Sequence, residues 1–371
     1  MNILHVIIGL GKGGAETMLY NIVKNRQEER LQYRVFSFGC GDYYLPLLLD
    51  LNITVINVDI RKHPVKLIIK LIREMEAADM LCSWMYHANI LTFLLNIVTC
   101  RKPIIWNIRH SNLDKDVNKK KTLIIAKLCA LFSQYVNKII YNGQLSKNNH
   151  IKIGYSDLNS YVLGNGCDIK RYFFHEGART AFNLKYNIKT TNKIVLSTSK
   201  WHPIKDVPCF LNAFKIVSST HDNVVAVLCG KGNDKNNEEL CSLIDKLHLV
   251  IDKDIFLLGE RNDLEEVYSV CDLYVLHSLG EAFPNSLIEA MACECECIST
   301  NVGDVSAILP DGDSIVEASD YLGLAKLMEF KIQNCSRNSQ NRKKVLENYT
   351  IDSIVVKYET TFLDLFSLII L

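Results

Sequence analysis

The sequence contains no apolar run long enough to cross a membrane. Runs such as SLIIL near the carboxyl terminus fall far short of the roughly 20 residues that a membrane-spanning helix needs. An excess of charge of one sign is also missing, since 42 Lys and Arg stand against 41 Asp and Glu. A general nucleic-acid-binding protein needs a basic face, so nucleic acid is excluded as a partner. The first residues, MNILHVIIGLGKGG, are typical of a buried strand and a glycine turn rather than of a signal peptide.

Cysteine spacings typical of a disulfide framework or a zinc site are absent as well. Most of the 13 cysteines stand singly in apolar segments, and only Cys293, Cys295 and Cys297 cluster. Their alternation predicts one face of a strand, and no second Cys or His pair is nearby in sequence to complete a metal site. We therefore interpret them as small buried apolar side chains. Reduced thiols in a chain without a leader favour the cytoplasm.

What is present is the composition and the alternation of a two-domain α/β protein. With 371 residues, 48% of them hydrophobic and 22% charged, the chain is globular and long enough for two domains. Apolar strand-like runs alternate with helix-period stretches in both halves, which predicts parallel sheets covered by helices on both faces. The predicted strands are residues 3–8, 33–38, 53–58, 78–83, 103–108 and 137–142 in the first half, and 193–199, 223–230, 254–259, 272–278 and 295–301 in the second.

Two such series predict two doubly wound, Rossmann-like domains. We place the amino-terminal domain at 1–168, a polar linker at 169–192 and the carboxyl-terminal domain at 193–349. Residues 350–371 predict a helix that packs back towards the amino-terminal domain. Doubly wound sheets bind ligands at the carboxyl ends of their strands, so we expect the chemistry in a cleft where the two domains face each other.

A glycine loop follows the first strand. Gly9, Gly11 and Gly14 match the spacing of the dinucleotide-binding motif, which would suggest an oxidoreductase. That motif also needs an acidic residue at the tip of the second strand, and here Asp42 lies beyond a turn. Two interpretations remain open: a loop whose amides approach an anion or hydroxyls, with Glu16 favoured by the helix dipole, or a tight turn without a ligand.

The most informative segment is EAFPNSLIEAMA at residues 281–292. Pro284 suits a first helical turn, so we predict a helix from Asn285 to Ala292. Glu281 then lies on the preceding loop and Glu289 on the second turn of the helix. Amides around residues 283–287 would form an anion site without a metal.

This segment resembles the signature of the retaining glycosyltransferases of family 4, which have the GT-B fold, in particular those that build bacterial surface polysaccharides. Other segments resemble the same family in the same order: GKGGAE (11–16), WNIRHS (106–111), GNGCDIKRYF (164–173), SKWHPIKD (199–206), LCGKG (228–232) and 256–272. Departures from the pattern are Ala282, Glu294 and Glu296, and Lys200 where an arginine is usual. These departures keep open whether activity is retained.

The resemblance implies metal-independent, retaining transfer of a hexose or N-acetylhexosamine from a nucleotide-diphosphate sugar, with a UDP-sugar as the expected donor. The expected acceptor is a glycan or a polyprenyl-linked sugar in polysaccharide biosynthesis, and no cofactor is expected. The implied catalytic residues are His110, Lys200, Lys205 and Glu281. The implied donor-binding residues are Gly13, Gly14, Phe283, Pro284, Asn285, Ser286, Leu287 and Glu289. The alternatives are a nucleotide-sugar 2-epimerase of the same fold and a non-catalytic nucleotide-sugar binder.

Two further patterns have competing interpretations. Aspartates two positions apart, a spacing that holds a metal in other glycosyltransferases, occur at 114/116, 252/254 and 311/313. Their sequence contexts here predict turns instead. Residues 118–140 form a basic amphipathic pattern. It predicts either a helix that contacts the inner face of an anionic membrane, as a peripheral protein would, or a packed helix with a solvated lysine face.

Overall fold

The architecture is that of two α/β units. A computed structural model describes residues 1–111, 113, 119–309, 312–334 and 336–370. The chain divides into one unit of Met1–Gly166 with Ile351–Leu371, and a second unit of Cys167–Thr350. Residues 169–192, for which a linker was predicted, belong to the second unit and contain a helix, Ala178–Tyr186. Residues 114–118, with the first aspartate pair, and Asp311 lie outside the described residues.

Within the described residues the first unit has a seven-stranded, wholly parallel sheet of order β3-β2-β1-β4-β5-β6-β7. Its strands are β1 (Asn2–Gly9), β2 (Gln32–Cys40), β3 (Thr54–Asn57), β4 (Met80–Trp84), β5 (Ile104–Ile108), β6 (Lys138–Tyr141) and β7 (Ser160–Val162). Its helices are α1 (Gly14–Lys24), α2 (Tyr44–Asp50), α3 (Pro64–Ala77), α4 (Met85–Val98), α5 (Lys120–Phe132) and α6 (Gln144–Lys152), joined by the last helix of the chain, Ile351–Ile370.

The second unit repeats the scheme with six described parallel strands in the order β10-β9-β8-β11-β12-β13. These strands are β8 (Lys193–Thr198), β9 (Val224–Cys229), β10 (Ile255–Gly259), β11 (Leu273–Leu276), β12 (Glu296–Thr300) and β13 (Ile315–Val316). The helices are α7 (Ala178–Tyr186), α8 (Val207–Thr220), α9 (Glu238–Lys246), α10 (Leu264–Val270), α11 (Asn285–Ala292), α12 (Val305–Ile308), α13 (Tyr321–Asn334) and α14 (Ser339–Asn348); the last helix is α15.

Each sheet is buried on both faces. In the first unit, α1, α2 and α15 close one apolar core, and α3, α4 and α5 close the other. The second unit likewise has one core on each side of its sheet. Burial on both faces explains why the strands are continuous apolar runs, and every run predicted as a strand is confirmed as one. The sequence analysis missed β7 and β13, because three and two residues are too short to show a pattern.

Two local predictions are corrected by the structure. The basic helix predicted over 118–140 ends at Phe132, and Lys138 already begins β6. Cys293 closes α11 and Cys295 precedes β12, so the three clustered cysteines do not share one strand, although all three are buried. None of the helices in the described ranges combines the length and apolarity needed to cross a membrane.

Candidate functional site

The strand order of the second unit brings two of the predicted segments together. Its order reverses between β8 and β11, which are neighbours in the sheet although they lie far apart in sequence. Loops that leave the carboxyl ends of strands at such a reversal form the ligand-binding crevice of doubly wound sheets. The loop after β8 carries Lys200 and Lys205, and the loop after β11 carries Glu281 and leads into α11.

Lys205 and Glu281 meet between these loops. The Nζ atom of Lys205 lies 2.5 Å from Oε1 of Glu281, with both side chains largely shielded from water. The hydroxyl of Ser278 donates to the same carboxylate oxygen at 2.6 Å. Gly303 packs against the Glu281 backbone with a φ of +57°, and a Cβ there would lie 2.9 Å from the Glu281 carbonyl oxygen. The carboxylate is therefore held in place by its own loop and by a neighbouring turn.

His277 anchors the Lys205 loop from beneath. Its Nδ1 lies 2.5 Å from the carbonyl oxygen of Lys205, and its Nε2 lies 2.6 Å from the hydroxyl of Ser197 on β8. Because a carbonyl can only accept, Nδ1 carries the proton and Nε2 accepts from the serine. Burial lowers the pKa of His277 to about 4, which keeps the ring neutral. The sequence analysis missed His277; its signal is a histidine directly after a buried strand at the reversal point.

Glu289 occupies the second turn of α11 as predicted, and the predicted helix bounds are confirmed. Its Oε2 accepts a hydrogen bond from the Tyr268 hydroxyl at 3.0 Å. Since Tyr268 has one hydroxyl proton, the contact of 2.9 Å between Tyr268 and Thr198 Oγ1 is donated by the threonine. Burial raises the pKa of Glu289, an effect opposed by the Tyr268 hydrogen bond and by the charge of Arg171. The carboxylate thus sits beside the end of β8 at a cost in solvation.

The turn before α11 partly corrects the prediction of free amides. Phe283, Pro284 and Leu287 are buried, whereas Asn285 is exposed. The Asn285 amide donates to the Phe283 carbonyl at 3.0 Å, and the Leu287 amide donates to the Pro284 carbonyl at 3.1 Å. The turn itself therefore uses two of the amides. Burial raises the pKa of the Tyr274 phenol, and a hydrogen bond with the Ser286 hydroxyl opposes that effect.

Lys200 and the acidic departures have different surroundings. Lys200 is exposed, and it is Lys205 that contacts Glu281. Glu294 takes the left-handed position after α11 with a φ of +63°, where glycine is favoured, so this helix ends with some backbone strain. Glu296 pairs with Lys331 at 2.9 Å. Glu296 therefore takes part in an ion pair within the second unit.

The glycine loop of the first unit forms a close turn at the start of α1. Gly13 is the residue before the helix, and a Cβ there would lie 2.3 Å from Oε2 of Glu16, whose carboxyl folds back over the turn. Burial raises the pKa of Glu16, and the bond to its own amide lowers it. Around Gly14 no atom lies within 4 Å of an added Cβ. The space beside Gly14 is open to a ligand, whereas a side chain at Gly13 would require the Glu16 carboxylate to move.

His110 lies just beyond β5 at the end of a short chain of hydrogen bonds. Its Nδ1 is 3.3 Å from the Tyr86 hydroxyl, which is 2.7 Å from Nε2 of His150. Nδ1 of His150 is 2.7 Å from the Ser146 carbonyl and must donate to it. Burial lowers the pKa of His150 to about 4, so the ring is neutral and Nε2 accepts from Tyr86.

This chain determines the tautomer of His110. Because Tyr86 gives its proton to His150, its oxygen accepts from Nδ1–H of His110, and Nε2 of His110 carries the lone pair. Burial lowers the pKa of His110, which favours this neutral form. His110 can therefore accept a hydrogen bond from a hydroxyl through Nε2. Tyr86 and His150 were not identified from the sequence, because their contacts join residues from α4, the loop after β5 and α6.

The aspartate pair at 252 and 254 is confirmed as a turn. Asp252 has a φ of +64° and pairs with Lys235, and Asp254 accepts from the Val250 amide at 2.9 Å. Among the described residues there is no group of three or more His, Cys, Asp or Glu that could hold a metal ion. Asp168 likewise caps a turn, since its carboxylate accepts from the amides of Lys170 and Arg171.

Known proteins are similar to this chain in sequence. Residues 179–348 match the family model of the glycosyl transferases group 1. The chain is 30% identical over 208 residues to N-acetyl-alpha-D-glucosaminyl L-malate synthase of Bacillus anthracis, covering 54% of this chain and 52% of that protein. It is 23% identical over 281 residues to UDP-Gal:alpha-D-GlcNAc-diphosphoundecaprenol alpha-1,3-galactosyltransferase of Escherichia coli, covering 71% and 70%. The chain thus spans about half the length of the first relative.

Solved structures extend the likeness to both units. The crystal structure of Anabaena Alr3699/HepE in complex with UDP and glucose has a TM-score of 0.82 at 20% identity, covering 98% of this chain and all of that one (100%). Sucrose-phosphate synthase from Thermosynechococcus elongatus has a TM-score of 0.79 at 13% identity, covering 99% and 100%. At these identities the likeness concerns the fold, and it confirms the predicted GT-B class. Residues 179–348 are therefore similar to the group 1 glycosyl transferases, and the fold of the chain is similar to that of these solved structures.

Proposed function

We propose that this protein transfers a sugar from a UDP-sugar to a glycan or polyprenyl-linked acceptor in polysaccharide biosynthesis. The observation that carries the proposal is the meeting of Lys205 and Glu281 at the strand reversal of the second unit, with Glu289 on the adjoining helix. The uridine base is supported by the Escherichia coli relative, whose name specifies UDP-Gal, and by the UDP bound to the Anabaena protein. A lipid-linked acceptor is supported by the diphosphoundecaprenol in the name of that relative.

Lys205 would stabilise the leaving diphosphate. Cleavage of the sugar–phosphate bond increases the charge on the diphosphate, and a preorganised cation beside it lowers the barrier. Lys205 is suited to this task because His277 fixes its backbone and Glu281 fixes its ammonium group. Lys200, exposed on the same loop, would provide a second positive charge near the diphosphate.

Glu281 and Glu289 would recognise the two ends of the donor. A diphosphate that binds Lys205 would replace Glu281 as the partner of the ammonium group. The Glu281 carboxylate would then accept hydrogen bonds from hydroxyls of the transferred sugar, so that binding of the diphosphate and binding of the sugar are coupled. Glu289 would accept the ribose hydroxyls, since its carboxylate is held by Tyr268. In the first unit, Gly14 would allow close backbone approach, and His110 would accept a sugar hydroxyl through Nε2.

The reaction would be metal-independent and would retain the anomeric configuration. Two lysines and the α11 turn supply the charge that a metal would otherwise provide, so turnover should survive EDTA. Restoration of a fully EDTA-inhibited enzyme by manganese alone would contradict this. NMR of the anomeric proton of the product tests retention, and an inverted linkage would refute the assigned roles of the Glu281–Glu289 segment.

A panel of labelled UDP-, GDP- and ADP-sugars tests the function itself. The protein is incubated with each donor, with and without a polyprenyl-diphosphate-linked sugar, and free sugar, epimer and transferred product are separated. Transfer from a UDP-sugar is expected. Formation of an epimer would assign the protein as a 2-epimerase, and binding without turnover would make it a non-catalytic binder. Lys326→Met, exposed on α13, is a matched control that should leave transfer unchanged.

A further inference from the structure

Arg109 is a buried cation just beyond the carboxyl end of β5, directly before His110, and it is only 9% exposed. The hydrogen-bond partners of its guanidinium in the described chain are neutral. They are the Leu163 carbonyl at 3.2 Å, Oδ1 of Asn165 at 2.9 Å and the hydroxyl of Tyr358. A buried charge is costly in solvation, and an apolar side chain of similar size often packs without loss of stability. We therefore expect Arg109 to perform a task that an apolar residue could not.

Two aromatic rings and a defined hydrogen-bond direction hold the guanidinium. Its Cζ lies 5.5 Å from the ring centre of Trp84 and 5.8 Å from that of Tyr358, so two π faces offset part of the lost solvation. The Tyr358 hydroxyl donates to Oδ1 of Asn107 on β5 at 2.7 Å. Because Tyr358 has one hydroxyl proton, its oxygen accepts from Nη2 of Arg109. The guanidinium is therefore fixed in one orientation.

The partners of Arg109 lie on the two segments by which the chain leaves and re-enters the first unit. Leu163 and Asn165 follow β7, just before the first unit ends. Tyr358 lies on α15, with which the chain returns to that unit. A planar guanidinium with several N–H donors in a fork can bond to both segments at once, which neither a lysine nor an apolar side chain can do. Arg109 thus ties the end of β5 to both segments.

The His110 main chain lies between this set of contacts and a second one. Its carbonyl oxygen accepts from the Ser146 hydroxyl of α6 at 2.7 Å. Arg109 supplies the contacts to α15 and to the segment after β7. Nδ1 of His110 is 3.3 Å from the Tyr86 hydroxyl, which is near the limit for a hydrogen bond, so a main-chain shift of a few tenths of an ångström would break this contact.

We propose that Arg109 is a positioning residue that holds the His110 imidazole in the tautomer whose Nε2 accepts a hydrogen bond. Without the guanidinium, the end of β5 loses its contacts with α15 and with the segment after β7, and Nδ1 of His110 loses its fixed distance to Tyr86. A fraction of the rings then carries the proton on Nε2, and these rings cannot accept a sugar hydroxyl. The effect of Arg109 on turnover rests on the proposed function, whereas its effect on the tautomer does not.

The tautomer of His110 can be measured by NMR without any substrate. With isotope-labelled histidine, long-range proton–nitrogen spectra distinguish an Nδ1–H ring from an Nε2–H ring, and His110→Ala assigns the signal. The wild type should show His110 as Nδ1–H alone. Arg109→Met should show a mixture with Nε2–H. Tyr358→Phe, which removes only the hydroxyl that accepts from Arg109, should show the same change to a smaller extent. His150, which donates to the Ser146 carbonyl, should remain Nδ1–H in every variant.

A double-mutant cycle separates positioning from a general effect on the fold. Arg109→Met should lower kcat about tenfold with unchanged UDP affinity, since a small displacement of a group in the site is enough for such a loss. In the His110→Ala background the same change should alter kcat by less than about twofold, because the residue through which Arg109 acts is already absent. Arg34→Met removes an arginine that pairs with Glu74 at 2.5 Å, near the start of β2. It is the matched control and should leave both kcat and the tautomer as in the wild type.

Two results would overturn the proposal. One is a wild-type tautomer in both Arg109→Met and Tyr358→Phe. The other is an equal loss of kcat with and without His110, which would show that Arg109 acts on the fold alone. If the wild type transfers sugar from none of the donors, the proposed function fails, and the NMR spectra still decide whether Arg109 positions His110.

Discussion

Replacement of Glu289 by glutamine should affect stability and donor binding in opposite directions. Burial raises the pKa of this carboxyl, because the charged form is less well solvated in the folded protein than in the unfolded chain. Glu289→Gln removes that charge and its solvation cost, and it keeps an oxygen that can accept from Tyr268. We therefore expect Glu289→Gln to raise the melting temperature of the free protein at neutral pH.

The stability gain should depend on pH in a defined direction. A carboxyl with a raised folded-state pKa costs stability above that pKa, and the cost disappears as the pH falls through it, because the wild type is then protonated in the folded state. The advantage of the glutamine variant should thus be present at neutral pH and shrink in acid. Glu289→Ala is the contrasting variant: it leaves the Tyr268 hydroxyl without its acceptor and should be destabilising.

Donor binding should weaken in both variants. A carboxylate that accepts ribose hydroxyls contributes about 1–3 kcal/mol, so the Kd for UDP should rise roughly 5- to 150-fold. Titration calorimetry with UDP and thermal unfolding at several pH values measure both effects on the same samples. Glu347→Gln, exposed on α14, is the control and should change the Kd little. Wild-type affinity in Glu289→Gln, or a lower melting temperature at every pH, would refute the reasoning.

Three further predictions concern turnover and acid stability. Lys205→Met should lower kcat about a hundred- to a thousandfold, or roughly 2.7–4 kcal/mol, whereas Lys200→Met, exposed to solvent, should lower it less; equal losses in steady-state assays would contradict the assigned roles. Tyr86→Phe should lower kcat about 2- to 10-fold, because one hydrogen bond to His110 is lost, and the affinity for UDP should be unchanged. His110→Ala should lower kcat further. A change in UDP affinity without a change in kcat would count against the tautomer assigned to His110. Burial lowers the pKa of His277 from 6.5 to about 4, so between these pH values the unfolded chain binds one proton more than the folded protein. The free energy of unfolding should therefore fall as the pH drops through this interval, by about 1.4 kcal/mol per pH unit. Urea unfolding of His277→Asn at several pH values should show a smaller dependence of that free energy on pH.

Local sequence was sufficient for five of the six described strands of the second unit and for α11. Its strands are buried on both faces and therefore appear as unbroken apolar runs, and Pro284 marks the beginning of α11 because proline lacks the amide that a first helical turn leaves unbonded. Because Pro284 marks the beginning of the helix, the sequence also placed Glu281 on the preceding loop and Glu289 on the second turn, seven intervening residues later. The extent of α5 was not readable, since residues 133–140 continue a basic, apolar pattern that tertiary pairing converts into β6.

What the sequence by itself determined is therefore the class of fold, the order of the strands along the chain and the residue types of the loops after β8 and β11. The tertiary structure alone decided which of those residues meet: Lys205 and Glu281 are 76 positions apart, and Ser197 and His277 are 80 apart. These pairs form because β8 and β11 are neighbours in the sheet, and parallel neighbours are joined by long crossovers that leave no local spacing to read. The His110–Tyr86–His150 chain has the same origin, since it depends on which elements the sheet places side by side.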